Sequence, residues 1–293
     1  MSIQPTLPFF LRSKLAGWDE AARSGLRQAF KQHYLGLAGS YQNLLESKQA
    51  NERQLGIFLV RQEYENLSAA LQLCLESYDT VKIYFCLFRY LYLNQNFALA
   101  LEQTETVYQA LQHYPTSHKE TVGFDISMTL NRLAMCALEL QDYERARAAY
   151  LEAIELTKTL TGISEQQRNS SIASTYHQLG RVAQELREFE EARRNYQLAL
   201  QIYIEFNDRY SQASTLNQLG LVARDTENFE EALNCFLQAL QIFAQFEDGH
   251  NGAIVLRNLG ELYIQTQDEN LLTAAANLLG TTPDHLRQMF TTP

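Results

Sequence analysis

The chain has 293 residues, 46% of them hydrophobic and 20% charged, which is the balance of a folded protein long enough to bury a large core. Its 34 acidic against 24 basic side chains leave a net charge of −10, and no run of Lys or Arg interrupts that excess, so no nucleic-acid partner is expected. Cys74, Cys86, Cys136 and Cys235 show neither a CxxC pair nor a regular spacing; they read as reduced packing cysteines, with no metal and no cofactor expected.

The N-terminal stretch Leu7-Pro8-Phe9-Phe10-Leu11 is apolar but too short for the core of a secretory signal, which points to a cytoplasmic location. Residues 1–78 carry no repeat and read as a helical region. From Trp18 to Leu37 the apolar positions Leu26, Ala29, Phe30, Tyr34 and Leu37 fall at helical spacing, and a second helix is expected from Leu55 to Leu75. The most apolar segment, Ile83 to Leu93, is broken by Arg89 and falls short of a membrane span, so no membrane association is expected.

Residues 79–269 repeat themselves. Tyr176-His177-Gln178-Leu179-Gly180 returns as Leu216-Asn217-Gln218-Leu219-Gly220 and again as Leu256-Arg257-Asn258-Leu259-Gly260, forty residues apart each time. The first two copies are followed by Phe189-Glu190-Glu191-Ala192 with Tyr196 and Ala199, and by Phe229-Glu230-Glu231-Ala232 with Phe236 and Ala239. Weaker copies run from Leu130 through Leu133-Ala134 to Tyr143, Ala146, Tyr150 and Ala153, and from Tyr84 through Leu87 to Phe97, Ala100 and Val107. A fixed period of this size marks a stack of units that bury their apolar faces only against one another, here about four full repeats and a final half. Asn96, Asp142 and Asn228 stand where they can cap each second helix, and Glu188 is a poorer cap at the same place. The pairs Glu190-Glu191 and Glu230-Glu231 fall in that first turn, where the helix dipole favours negative charge, so they are read as structural and not as acid–base pairs.

Residues 270–293 read as capping helices. Leu271, Leu272, Ala275 and Leu278 can cover the last repeat, Gly280 is placed to end that helix in the left-handed conformation, and Thr282-Pro283-Asp284 opens a last helix ending near Phe290.

The repeated residues resemble the tetratricopeptide repeat, with Leu-Gly on a first helix and Ala, aromatic and Ala on a second. The signature Ala falls at 100, 146, 192 and 232, so the spacings are 46, 46 and 40 residues, against about 34 in the family. The family's Pro near the end of the second helix is missing, since none occurs between Pro115 and Pro283. Extra length must then lie in longer helices or loops, a pattern similar to kinesin light chain and related adaptors. The resemblance implies an all-α, right-handed superhelical solenoid of helix-turn-helix repeats. A second, less specific resemblance lies at Glu63-Tyr64-Glu65-Asn66-Leu67-Ser68-Ala69-Ala70-Leu71, which is similar to the helix opening the sensor arm of bacterial STAND-type NTPases; Tyr64, Glu65 and Ser68 depart from its pattern. His33-Tyr34-Leu35-Gly36-Leu37-Ala38 is similar to the segment upstream. That resemblance implies a recognition arm and an NTPase or effector subunit as partner. The chain holds no GxxxxGK[ST] loop, no HExxH and no GxSxG, and its six histidines are scattered, so it is not expected to be an enzyme.

Function is therefore expected on the concave face, which the resemblance assigns to positions 2, 5, 9 and 12 of each first helix, counting Leu-Gly as 7 and 8. Steps of three, four and three residues keep these on one stripe. Position 5 gives Asn131, His177, Asn217 and Arg257; position 9 gives Met135, Arg181, Leu221 and Glu261; position 12 includes Gln184 and Arg224. Asn131 and Asn217 stand where related grooves hold a peptide backbone through a side-chain amide. Arg181, Arg224 and Arg257 suit a partner with acidic groups. Glu261, with Glu185 and Asp225 at the edge, offers the competing outcome in which these carboxylates neutralise the arginines. The expected function is a non-enzymatic adaptor or sensor arm that binds a peptide segment or protein partner in this groove. The alternative is a ligand- or peptide-responsive regulator whose superhelix changes shape on binding.

Overall fold

The computed structural model describes residues 18–291, so the apolar segment Leu7–Leu11 lies outside the described residues. Thirteen helices and no strand occur among the described residues: α1 (Glu20–Glu46), α2 (Ala50–Glu76), α3 (Lys82–Leu93), α4 (Phe97–Gln112), α5 (Thr116–Glu139), α6 (Tyr143–Thr159), α7 (Glu165–Glu185), α8 (Phe189–Glu205), α9 (Arg209–Asp225), α10 (Phe229–Gln245), α11 (Gly249–Thr266), α12 (Glu269–Leu279) and α13 (Pro283–Thr291). The fold class is the all-α tetratricopeptide solenoid. Two compact units meet in sequence at Asp142 and Tyr143.

In the first unit α1 packs on α2 and α3, and α3 to α5 follow as neighbouring antiparallel helices. The expected end of α1 at Leu37 is passed by nine residues, because Tyr34, Ala38, Tyr41 and Leu45 continue one buried stripe. Gly36 and Gly39 do not stop the helix; neither has a neighbour within 4 Å of the place a Cβ would take. Gly56 in α2 does matter, since a Cβ there would stand 2.9 Å from the Leu44 side chain and 3.0 Å from the Leu45 backbone. Lys31 is buried and held by Asp79 at 2.8 Å and by Ser77 Oγ at 3.0 Å, which pins α1 to the end of α2. Burial works against the Asp79 carboxylate, but its bonds to Lys31 and the Thr80 N–H prevail and hold it below the usual range.

In the second unit the forty-residue period has a simple origin. α9 and α10 are seventeen residues each and are joined and followed by three-residue turns, so the extra length lies in the helices. Each turn carries a non-glycine residue in the left-handed region: Arg187, Asn207, Glu227 and Glu247 have φ between 53° and 60°. At Glu227 the turn closes through Asn228 N–H to Ala223 C=O at 2.8 Å and Glu227 N–H to Arg224 C=O at 3.0 Å, satisfying carbonyls the helix end would leave open. Glu227→Gly is expected to leave stability unchanged or raise it by up to about 1 kcal/mol, while Gln238→Gly on the exposed face of α10 lowers it by about 1 kcal/mol. Urea titration of the two variants checks the contrast.

Asn96, Asn228, Asp208, Asp248 and Asp268 cap their helices by accepting first-turn N–H groups, Ser164 and Gln167 form a reciprocal capping box, and Glu188 makes no cap bond. Glu188 pairs with Arg147 of α6 instead. Gly280 is left-handed at φ 65°, and Thr282 Oγ1 accepts the His285 N–H at 3.2 Å at the start of α13. The core centres on Tyr196 and Phe236, both fully buried, with the Ala and Leu signature residues around them. Each ring lies over a glycine of the preceding helix: a Cβ on Gly180 would meet Tyr196 at 2.5 Å, and one on Gly220 would meet Phe236 at 2.5 Å. No helix among the described residues is long and apolar enough to cross a membrane.

Candidate functional site

In the second unit the first helices of the hairpins, α7, α9 and α11, are joined by side-chain bonds between adjacent repeats. His177 Nδ1 lies 3.0 Å from Thr215 Oγ1. Thr215 donates its hydroxyl proton to the Ser211 carbonyl at 2.9 Å, so it accepts from His177, whose proton must sit on Nδ1. Burial, with the Arg181 charge beside it, pushes His177 down to about 4, so the ring is neutral at pH 7. Its face meets Tyr196 edge-on at 5.3 Å. Asn217 is buried, and its Oδ1 accepts from Asn258 Nδ2 at 2.8 Å. Arg224 reaches Glu261 at 2.6 Å and Asp225 at 3.4 Å. The three contacts follow one another along the stripe and form a seam between neighbouring repeats.

This seam redistributes the expected roles. Asn217 uses its amide oxygen on the next repeat, and His177 is a packing group. Gln184 accepts the Tyr196 hydroxyl at 3.0 Å, which ties the glycine-packed ring to the stripe. Of the three arginines, Arg224 is neutralised by Glu261, Arg181 donates to Gln178 at 3.0 Å, and Arg257 is exposed. Leu221 is half-buried beside them, and Glu261 is exposed. A stripe drawn from periodicity places these residues on one face; how deep each lies depends on the distance to the next hairpin, which spacing does not encode.

Asn131 and Met135 lie on α5 in the first unit, both half-buried, and Asn131 Nδ2 donates to the Ser127 carbonyl at 3.0 Å. Two further cations stand in this unit. The Arg132 guanidinium lies 4.4 Å from the centre of the Phe85 ring and 5.3 Å from that of Phe88, and donates to the Met128 carbonyl at 3.1 Å. The Nε atoms of Arg132 and of Arg89 on α3 are buried and find no hydrogen-bond partner among the described residues. Burial pulls Arg132 below its ordinary value, although the nearby carboxylates of Glu46 and Asp125 oppose this. Arg89 follows Leu87-Phe88, so it occupies position 9 of the first repeat, a copy from which the expected stripe takes no residue.

The residues singled out by the N-terminal resemblance have packing roles. Tyr34 donates to Glu63 Oε2 at 2.9 Å, and Asn66 donates to the same oxygen at 2.8 Å, clamping α1 on α2. Among the described residues no three His, Cys, Asp or Glu side chains are grouped to hold a metal ion.

A family profile described as tetratricopeptide repeat matches residues 171–245 and 211–271, and a second profile of the same description matches residues 127–160. These segments are tetratricopeptide repeats. Among solved structures, the apo form of RapI aligns with a TM-score of 0.64 at 17% identity, covering 85% of this chain and 82% of that one. BtubC from P. vanneervenii aligns at 0.56 and 16%, covering 87% and 91%. Aspartyl phosphate phosphatase F from Bacillus subtilis aligns at 0.55 and 12%, covering 93% and 77%. At these identities the likeness is one of fold. No curated protein matches the sequence.

Proposed function

We propose that the tetratricopeptide stack acts as a cytoplasmic adaptor or sensor arm that captures a peptide segment or protein surface on the first-helix face and performs no chemistry itself. The observation that carries this is the alignment of Arg181, Leu221, Arg224, Arg257 and Glu261 on three successive first helices, α7, α9 and α11, below which the core is already filled. Such a face offers charge-assisted bonds at intervals along an extended partner. A partner with acidic groups engages the exposed Arg257 and competes with Gln178 for Arg181 and with Glu261 for Arg224. The N-terminal resemblance supports an NTPase or effector subunit as the source of that segment. The seam supports a regulatory variant of the same reading: a ligand that draws Arg224 from Glu261 breaks a contact between two repeats and alters their packing.

The test is affinity for a partner recovered by co-purification. Arg181→Ala with Arg224→Ala is expected to bind at least about tenfold more weakly, the loss of one or two charge-assisted bonds. Arg194→Ala, on the exposed side of α8, should bind as wild type. Equal binding by the double variant places the partner on another surface.

A further inference from the structure

The ring that covers each repeat glycine comes from sixteen residues later, Tyr196 over Gly180 and Phe236 over Gly220. The third repeat breaks the rule. Sixteen residues after Gly260 stands Ala276, buried on α12 and too small to reach across. The space is filled from outside the hairpin: Phe290 of α13 lies 2.8 Å from the place a Gly260 Cβ would take, with its ring 6.3 Å from that of Tyr263. The last repeat is thus built with an empty ring socket that a separate helix closes.

That helix is weakly held. α13 has nine residues, below the length at which a helix stands alone, and only Leu286 is buried. Phe290 is half-buried and Met289 is 42% exposed. Arg287 pairs with Glu269 at the lip of α12. Beside the Phe290 ring a cleft of about 320 Å³ stays open, lined by Leu256, Ile264 and Met289 with Arg257 at its rim. A short helix anchored by Leu286 and Phe290 at i, i+4 next to unfilled apolar space is a segment of low local stability.

We propose that the socket over Gly260 is a docking site for an amphipathic helix of a partner protein, one that carries a leucine and an aromatic residue four positions apart with a basic residue between them to meet Glu269, and that α13 occupies the site in the free chain. The occupant follows from the helix already seated there, which shows the spacing, the ring and the charge that the site accepts. The socket shares Arg257 and Glu261 with the end of the proposed groove, but the ring site itself is Gly260, which takes no part in the charge-assisted contacts of Arg181 and Arg224, so the Gly260→Leu and Arg181→Ala/Arg224→Ala variants separate the two readings.

The probe is a fluorescent synthetic peptide of residues 281–293, and the receptor is the full chain with Leu286→Ser and Phe290→Ser, which undocks its own helix. Fluorescence anisotropy should show saturable binding to this variant and at least tenfold weaker binding to the wild-type chain. The peptide carrying Phe290→Ala should lose at least tenfold, and adding Gly260→Leu to the receptor, which fills the socket, should abolish binding while circular dichroism shows the helices retained. Absence of binding at millimolar peptide, or binding indifferent to Gly260→Leu, overturns the proposal. So does dimerisation of the Leu286→Ser/Phe290→Ser chain in light scattering that Gly260→Leu abolishes, which assigns the socket to a second copy.

Discussion

Gly220→Leu is expected to destabilise the protein by about 3 kcal/mol, at the upper end of overpacking costs, with a clear fall in melting temperature. The reason is local: the first carbon of any side chain at this position would lie 2.5 Å from the Phe236 ring, which is fully buried and has no free space to enter. Phe236→Ala alone is expected to cost about 3–5 kcal/mol through the cavity it leaves. The decisive result is the double variant. With the ring gone, the leucine occupies the vacated volume, so Gly220→Leu should cost far less in the Phe236→Ala background than in wild type. Additive losses would mean that the two sites are not in contact and that the hairpin is packed differently.

Acid should weaken the protein through His177. Its folded value of about 4 lies below the unfolded value of 6.5, so the unfolded chain binds the extra proton between those limits and the folded chain does not. The contribution is fully present above pH 6.5, declines as the pH falls to 4, and is flat below, amounting to roughly 3 kcal/mol. Asp248, held down to about 2 chiefly by the Asn251 N–H and side chain, keeps its charge through this window. His177→Asn preserves a donor for Thr215 without the titration. Urea unfolding at pH 7, 5 and 4 should show a wild-type loss that exceeds the variant's by about 3 kcal/mol at pH 4. Parallel losses would mean that the ring is solvated in the native state.

Legibility in the sequence followed the range of each interaction. The recurrence of Leu219-Gly220 and Phe229-Glu230-Glu231-Ala232 exposed the hairpins, because each copy meets nearly the same neighbours and must keep the same residues. Asn228 and Gly280 were readable because cap chemistry is settled within four residues. Asn217 was not: it falls on the correct stripe, but its bond to Asn258 spans 41 residues, and nothing at position 217 records how near the next helix comes. The same holds for Arg132, whose contacts with Phe85 and Phe88 join two helices at long range. Phe290 was placed at the end of the last helix, but its partner glycine became visible only once Ala276 was seen to leave a gap.

The regular seventeen-residue helices and three-residue turns of α9 and α10 make residues 209–248 an interchangeable cassette. Its leading edge offers Thr215 to the histidine before it, and its trailing edge offers Asn217 and Arg224 to the copy behind. Gain or loss of one cassette by recombination would change the length of the exposed face in whole steps while disturbing only the residues at the new joint. The final copy is excluded from that freedom. With Ala276 in place of a ring, it fits only where an aromatic side chain from outside the hairpin covers Gly260, as Phe290 does here.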